Sequence, residues 1–252
     1  MVSVSIITVV KDHATGLEMT YGSLLEQTLN AWEMIVVVGS SQDNTLFVAR
    51  ELQASDSRIR IIEQEGTGIY SAMNQGIESV DGEFTWFMNA GDRFATSSVL
   101  AHAVEEISKS GTGIVIGGYQ ISGGSSDKTF NYPSGNVTTL VFAFNRRGGC
   151  HQAMIFRTQI LRDFGGFNTS YSLAGDFDLV LKVIKKVKAW RVSEVYASIE
   201  PGGRADQGIY LVHRQKHQIR RNLLGGPVVL IASLLWSGLA TTKIVLSRFL
   251  KK

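Results

Sequence analysis

The sequence predicts an α/β fold, in which strands and helices alternate around a mostly parallel sheet with flanking helices. Short runs rich in β-branched residues, such as Val4–Val10, are typical of buried strands. The segment that follows, residues 16–27, carries apolar side chains at helical spacing. Because this alternation repeats along the first half of the chain, it indicates βαβ units whose strands lie parallel in one sheet.

The remaining elements follow in the same order. Further strands are expected at residues 34–38, 59–62, 84–88 and 114–119, and helices at residues 43–54, 69–80 and 97–109. From 120 to 149 the sequence has no sustained period, which predicts a loop-rich excursion with a hairpin over the substrate cleft. A short strand at 151–156 and helices at 157–164 and 179–187 complete the pattern.

Length and composition limit the kind of protein. The chain has 252 residues, of which 44% are hydrophobic, and can bury one substantial core, so one domain with an appendage is expected. A single cysteine, Cys150, excludes an internal disulfide framework and a cysteine-based zinc site. The first residues lack the charged and long apolar regions of a signal peptide, which predicts a cytoplasmic catalytic part.

The net charge of +3 is distributed unevenly along the chain. Residues 1–181 contain 11 lysine and arginine residues against 19 aspartate and glutamate residues, whereas residues 182–252 contain 14 against 3. A basic segment of this kind favours an anionic partner, either a membrane surface or a nucleic acid. The alternative is a solvated basic helical face. We expect a membrane surface as the partner and no nucleic acid.

Asp92 directly follows a predicted central strand. The apolar residues 84–88 lead into the polar turn Asn89-Ala90-Gly91-Asp92. In open α/β sheets ligands bind at the carboxyl ends of the strands, and a carboxylate there suits a divalent cation that carries phosphates. The alternative is an aspartate that caps the next helix.

Asp176 is a second carboxylate at the edge of an element, at the start of a predicted helix. A metal-bearing carboxylate and a separate base are what direct displacement at a phosphate-activated carbon requires. The metal offsets charge on a diphosphate leaving group, while the base accepts the proton of the attacking hydroxyl. The sequence has no Gly-rich loop ending in Lys and no Gly-x-Ser-x-Gly elbow, which argues against P-loop hydrolysis and acyl transfer by an elbow serine.

A series of short motifs resembles family 2 glycosyltransferases with the GT-A fold, and most closely the small bacterial enzymes of exopolysaccharide, colanic-acid-type assembly. The resemblance spans roughly residues 3–215, and the order of the motifs is more specific than any one of them. The motifs are Ser5-Ile-Ile-Thr-Val-Val, Val36-Val-Val-Gly-Ser-Ser-Gln-Asp-Asn-Thr45, Gly68-Ile-Tyr-Ser-Ala-Met-Asn-Gln-Gly76, Asn89-Ala-Gly-Asp92, His151-Gln152 and Ala174-Gly-Asp-Phe-Asp178. The resemblance implies an inverting transfer of a sugar from a nucleotide-sugar to a hydroxyl acceptor, helped by Mg²⁺ or Mn²⁺.

The resemblance also implies roles for individual residues. Asp92 matches the last carboxylate of the metal-binding motif, and Asp176 matches the aspartate that acts as the catalytic base. On the acceptor side the matching residues are His151 and Gln152, with Asp178 behind the base, although His151 also fits a buried structural histidine. The residues implied to bind the nucleotide-sugar are Thr8, Val38, Asp43 with Thr45, Asn74 and Asp92.

Several positions depart from the family pattern. Val38 stands where the family usually has an acidic residue that resembles a reader of the uracil ring, so we expect guanosine or thymidine sugars as candidate donors. Ser71 and Gln75 replace a common Asp and Lys, and the metal motif has one carboxylate instead of two. After Glu200 a hydroxyl residue is missing, and Arg204 is expected to take a phosphate role instead.

The last part of the chain carries a separate signal. Residues 223–242 are uncharged and match a membrane span by length, but Gly225-Gly226-Pro227 interrupts them, so a helix is expected from Val228. That helix has a wide apolar face and flanking basic residues, which predicts an amphipathic helix on an anionic membrane. The alternatives are packing on the protein or on a partner subunit in a homodimer, and a true span.

Together these observations predict a glycosyltransferase domain over residues 1–215 and a basic amphipathic helical region over residues 216–252. The predicted function is inverting, metal-dependent transfer of a sugar to a saccharide acceptor, expected to be lipid-linked, in bacterial surface polysaccharide synthesis at the cytoplasmic face of the cell membrane. The alternative is a catalytically silent sugar-nucleotide-binding or scaffold protein of the same fold, which the missing acidic residues favour.

Overall fold

The computed structural model of the chain describes residues 3–122, 127–145, 150–202 and 208–227, together with residues 229, 231 and 232. Within these residues, ten strands form one sheet with helices on both faces. The strands are β1 (Val4–Val10), β2 (Trp32–Val38), β3 (Ile59–Glu63), β4 (Phe84–Phe87), β5 (Arg93–Phe94), β6 (Ile114–Ile121), β7 (Lys128–Phe130), β8 (Gly135–Asn136), β9 (Met154–Arg157) and β10 (Ala189–Ile199).

The helices fill the connections between strands. They are α1 (Ala14–Leu25), α2 (Thr45–Ser55), α3 (Ile69–Ser79), α4 (Val99–Ser110), α5 (Thr139–Phe144), α6 (Thr158–Asp163), α7 (Gly175–Lys186) and α8 (Ile209–Leu224). A 3₁₀ turn at His151–Ala153 precedes β9. Five of the predicted helices, α1 to α4 and α6, are present, each within two residues of its expected ends.

The order along the sheet is β3-β2-β1-β4-β9-β6-β10-β5, with β7 beside β6 and β8 beside β10. The first four strands of this order are parallel. β9 runs antiparallel to both β4 and β6, and β5, β7 and β8 are also antiparallel to their partners. β6 and β10 are parallel to each other, so six of the ten strands run in one direction. The sheet is therefore mixed but mostly parallel, as predicted, with β9 inserted antiparallel between β4 and β6.

The strands divide the core between the two faces of the sheet. In β1, Ile7 and Val9 face one hydrophobic cluster, while Val4, Ile6 and Val10 face the other. Successive side chains of a strand point to opposite faces, so a run that is apolar throughout must be covered on both sides. This explains why Val4–Val10 lacks alternation and why helices pack on both faces.

Three regions differ from the sequence prediction. β10 was not predicted, since its register against β6 is broken twice, between Arg191 and Val195 and again before Ala197, which disrupts the period of two. The segment after β6 does form the expected hairpin with β7, but it also contains the short helix α5. Helix α7 begins at Gly175, four residues earlier than predicted, so Asp176 lies in its first turn.

The predicted boundary between residues 215 and 216 falls inside α8, which continues to Leu224. The helix expected from Val228 lies outside the described residues, apart from residues 229, 231 and 232. Within the part of the chain that the structure describes, no helix is both long and apolar enough to cross a membrane.

Candidate active site

The carboxyl ends of the parallel strands bring the predicted site residues to one edge of the sheet. β1 and β4 pair in register from Val4 with Phe84 to Ile7 with Phe87, so the turn after β4 lies beside the end of β1. The backbone N–H of Ala90 donates to the carbonyl of Val9, which holds this turn against β1. The site is built on this junction.

Asp92 is buried at the end of this turn, with 5% of its surface exposed. Its Oδ2 accepts a 2.7 Å hydrogen bond from Nε2 of Gln152, and its Oδ1 accepts a 2.9 Å bond from the backbone N–H of Glu200. Burial raises the pKa of Asp92, and these two hydrogen bonds only partly oppose the rise. Among the residues that the structure describes, the carboxylate has no cationic hydrogen-bond partner, and a cation beside it would be attracted.

Gly91 lets the turn approach its neighbours closely. Its φ is +95°, and a Cβ atom at this position would lie 2.2 Å from Oε2 of Glu200. The carboxylate of Glu200 in turn lies 3.0 Å from Nε2 of His13, which precedes α1. Glu200 and His13 are site residues that the sequence did not predict, because β10, which ends just before Glu200, was not recognised.

Asp176 lies at the N-terminus of α7, and three groups hold its carboxylate. Oδ1 accepts hydrogen bonds from the backbone N–H of Phe177 at 2.8 Å and from the hydroxyl of Tyr70 at 3.3 Å. Oδ2 lies 3.5 Å from Nδ1 of His151. Burial raises the pKa of the Tyr70 hydroxyl, so this hydroxyl stays protonated and donates. The side chain of Asp176 is 23% exposed and remains accessible from solvent.

The pKa of Asp176 is shifted in the opposite direction from that of Asp92. Burial alone would raise its pKa, but the hydrogen bond from His151 and the charges of His151 and Lys216 outweigh this and lower the pKa below its ordinary value. Asp176 is therefore ionised at neutral pH. An ionised, partly exposed carboxylate can accept a proton, whereas the buried Asp92 is suited to contact a cation.

His151 and Gln152 connect the two carboxylates. They are neighbours in the 3₁₀ turn before β9, and one contacts Asp176 while the other contacts Asp92. Nε2 of His151 lies 3.3 Å from the amide nitrogen of Asn89. The ring of His151 thus lies between Asn89 and Asp176, and its Nδ1 donates to the Asp176 carboxylate.

Gln152 was expected on the acceptor side, but it is 8% exposed and lies beneath Asp92. Its carbonyl accepts a 2.8 Å bond from the indole N–H of Trp86, and its Oε1 accepts from the thiol of Cys150 at 2.7 Å. The amide and the backbone carbonyl of Gln152 are both bonded to protein groups, so Gln152 orients Asp92 from the protein interior.

Asp178 is also placed differently from the expectation. It is 3% exposed, and its Oδ2 pairs with Nζ of Lys182 one turn along α7 at 2.5 Å. Its hydrogen-bonding capacity is used within the helix. Asp178 therefore supports α7 structurally and does not lie beside Asp176 as a second basic group.

The predicted nucleotide-binding residues divide into two groups. Asp43 is exposed and shapes the loop after β2, because its Oδ1 accepts from the backbone N–H and hydroxyl of Thr45 at 3.0 and 2.5 Å. Its Oδ2 accepts from the N–H of Ala14 at 3.4 Å. The hydrogen bond from Thr45 is the main cause that lowers the pKa of Asp43. This loop is therefore tied to the start of α1.

The other three residues of that set are not free to contact a ligand. Asn74 uses both ends of its amide on the backbone of Phe167, at 2.7 and 2.9 Å. Val38 is 3% exposed within a hydrophobic cluster, and Thr8 is fully buried with a hydroxyl that has no hydrogen-bond partner. The side chains of Val38 and Thr8 are thus enclosed by protein, whereas Asn74 is partly exposed and is held by the backbone of Phe167.

A divalent cation fits this site in a restricted way. No group of three or more His, Cys, Asp or Glu side chains in the described ranges is arranged to hold a metal ion by itself. Asp92 offers one fixed carboxylate, and the carboxylate of Glu200 lies close enough to raise its pKa further. Such a donor set suits a cation whose remaining ligands are phosphate oxygens of a bound nucleotide.

Comparison with known proteins agrees with this arrangement. The model of glycosyl transferase family 2 matches residues 5–172. A PGL/p-HBAD biosynthesis glycosyltransferase of Mycobacterium tuberculosis is 26% identical over 161 residues, covering 64% of this chain and 61% of the relative. The glycosyltransferase EpsJ of Bacillus subtilis is 33% identical over 112 residues, covering 44% of this chain and 32% of its own. The chain thus spans about three fifths of the length of the mycobacterial relative and about one third of the length of EpsJ.

Solved structures share the fold. TarS of S. aureus with UDP-GlcNAc superposes with a TM-score of 0.73 at 18% identity, covering 92% of this chain and 71% of TarS. The mannosyltransferase PcManGT from Pyrobaculum calidifontis, in complex with GDP-Man and Mn²⁺, gives a TM-score of 0.70 at 17% identity, covering 96% and 74%. The family model covers more than half of the chain, and the fold is the GT-A fold, so the chain belongs to glycosyltransferase family 2.

Proposed function

We propose that the protein transfers a sugar from a nucleotide-sugar to a hydroxyl of a saccharide acceptor, with inversion at the transferred carbon. One observation carries the proposal. Two carboxylates lie at the same edge of the sheet, and one turn, His151–Ala153, contacts both. Inversion by direct displacement requires one group on the leaving diphosphate and another on the attacking hydroxyl, and two carboxylates held in different environments meet that need.

Asp92 is the proposed contact to the donor diphosphate through a divalent cation, Mg²⁺ or Mn²⁺. When bound, such a cation offsets negative charge on the diphosphate leaving group. Gln152 and the N–H of Glu200 hold the Asp92 carboxylate in one orientation, so it needs no rearrangement when the donor binds. The bound Mn²⁺ named for the mannosyltransferase of the same fold supports this role.

Asp176 is the proposed base that accepts the proton of the attacking hydroxyl. Its lowered pKa keeps it ionised, and Tyr70, His151 and the N–H of Phe177 fix its orientation. Each of these partners donates to the carboxylate, and the side chain of Asp176 remains 23% exposed. His151 is a positioning residue in this scheme, because both of its ring nitrogens are already engaged.

The site is proposed to select less strongly for a uracil base than is usual in the family, with guanosine and thymidine sugars as candidate donors. The loop after β2 carries no acid at Val38, whose side chain is turned into the core. Proteins of the same fold bind UDP-GlcNAc and GDP-Man, so the fold accommodates both kinds of base. A pocket without the matching acceptor group discriminates poorly against other bases.

The acceptor is proposed to be a lipid-linked saccharide of a bacterial surface polysaccharide, reached from the cytoplasmic face of the membrane. Lys185, Lys186 and Lys188 are exposed at the end of α7, and Leu140 and Val141 of the neighbouring α5 are 58% and 51% exposed. Basic and apolar side chains together suit an anionic membrane surface. Along α7, Asp176 lies about 15 Å from Lys186, a distance that a short saccharide on a lipid can span.

The experiment is a screen of nucleotide-sugars with Mg²⁺ or Mn²⁺ that measures release of nucleoside diphosphate and, with added acceptors, sugar transfer. We expect slow release without acceptor and faster release with it. The silent-scaffold alternative predicts binding without turnover. A donor that raises the melting temperature of the protein but is never cleaved, with any acceptor tested, would favour that alternative.

A further inference from the structure

Helix α8 holds the loop that carries Asp176. The loop of residues 172–174 leads directly into α7, and Ala174 is the residue before its first turn. Oε1 of Gln215 on α8 accepts hydrogen bonds from the backbone N–H groups of Leu173 and Ala174, at 3.0 and 3.1 Å. Its Nε2 donates to the hydroxyl of Ser172 at 3.1 Å. One side chain thus makes hydrogen bonds to three consecutive residues.

This contact is buried and specific. Gln215 is 8% exposed, and its neighbours along α8 that face solvent, Arg214 and Gln218, make no such contact to the loop. A buried amide is costly unless its groups are bonded, so the loop and Gln215 stabilise each other. Without Gln215, two backbone N–H groups next to the start of α7 would lose their acceptor.

The start of α7 is also held by α3. A Cβ atom on Gly175 would lie 2.8 Å from the ring of Tyr70, which shows how closely that ring packs on the start of α7. The hydroxyl of Tyr70 bonds Asp176 itself. Tyr70 and Gln215 therefore both contact this segment, and the position of the Asp176 carboxylate depends on both.

We propose that Gln215 is a positioning residue for Asp176, so that α8 is part of the active site although it lies beyond residues 5–172 that the family model matches. This inference rests on the proposed function, because it assigns Asp176 as the base. A displacement of about 1 Å at a catalytic group can cost on the order of a hundredfold in rate. Gln215 acts through the loop and contacts no substrate.

The test compares Gln215→Ala with Gln218→Ala, an exposed glutamine one turn along the same helix. We expect Gln215→Ala to lower kcat by about tenfold to a hundredfold, with the KM of the donor unchanged. Gln215→Glu should restore most of the rate at a pH where the new glutamate is ionised, because its carboxylate still accepts from both N–H groups. Gln218→Ala should behave as wild type.

A second arm separates positioning from general stability. In an Asp176→Asn background, Gln215→Ala should cause little further loss, since residues that act as a unit are not additive. Full additivity, an unchanged kcat in Gln215→Ala, or complete recovery of Gln215→Ala on cooling below its melting transition would overturn the inference. A wild-type protein that transfers no sugar would overturn the proposed function together with it.

Discussion

Nε2 of Gln152 donates a 2.7 Å hydrogen bond to Oδ2 of Asp92, and this bond joins the turn before β9 to the turn after β4. The preceding residue, His151, contacts Asp176. The two carboxylates are thus positioned by adjacent residues, which lets the donor side and the acceptor side of the site keep a fixed relation.

The first prediction concerns the charge of Asp92. Burial raises its pKa, so its ionised form is disfavoured in the folded state, and the stability linked to this group is present at low pH and lost as pH rises through the folded pKa. Asp92→Asn should therefore raise the melting temperature at neutral pH by a few degrees without ligands. The difference should shrink as pH falls, and the exposed Asp163→Asn should show neither effect.

The same variant tests metal-dependent binding. With Mn²⁺ and a nucleoside diphosphate, ligand binding should stabilise the wild-type protein, while Asp92→Asn should gain little, since the carboxylate that contacts the cation is missing. Equal stabilisation of both proteins would remove Asp92 from the cation site. Calorimetric titration with and without Mn²⁺ measures the affinities directly.

The third prediction concerns Val38. An aspartate at position 38 would match the acidic residue of the family that resembles a reader of the uracil ring. Val38, however, is buried in a hydrophobic cluster. Val38→Asp should destabilise the protein by about 3 kcal/mol or more, because it leaves an unpaired charge in the core. Urea unfolding measures this, with Val38→Ala as the control for lost packing. Wild-type stability with a shift toward uridine diphosphate would contradict the placement.

The fourth prediction concerns the membrane surface. Replacing Lys186 and Lys188 by Glu should weaken binding to anionic vesicles, and high salt should weaken binding of the wild-type protein. The control replaces Lys109 and Lys128, which have the same charge but lie on α4 and β7. If both double variants bind alike, the surface at the end of α7 is not the contact. Deleting residues 228–252 measures how much these residues contribute to vesicle binding.

The sequence predicts the first half of the fold well, because β1, β2 and β4 are mostly apolar runs that are buried throughout, although β3 is only partly buried. The antiparallel insertion of β9 cannot be predicted from periodicity, since a buried strand has the same composition in either direction. The bulges of β10 disrupt its alternating pattern, so the strand was not predicted and the position of Glu200 at its end was missed. α8 is hidden by polar residues such as Gln215 and Arg220, which are buried because they bond the backbones of neighbouring segments.

The site was predicted in part for a physical reason. Asp92 and Asp176 were recognised by their positions at the ends of elements, which the structure retains. The family resemblance implied roles toward ligands for Asn74 and Gln152, but an amide serves equally well to bond a backbone or a carboxylate. Only tertiary contacts decide between these uses, and they lie 93 and 60 residues away in the sequence.

The measurement that tests the central claim most directly compares Asp176→Asn with Asp178→Asn in a transfer assay with the donor identified by the screen. Asp176→Asn keeps size but removes the basic lone pair, so kcat should fall by about a hundredfold or more while donor affinity stays near wild type. Asp178→Asn should lower stability through the loss of the Lys182 pair and leave kcat within about twofold. Normal transfer by Asp176→Asn, or the hundredfold loss in Asp178→Asn instead, would contradict the assignment of Asp176 as the base.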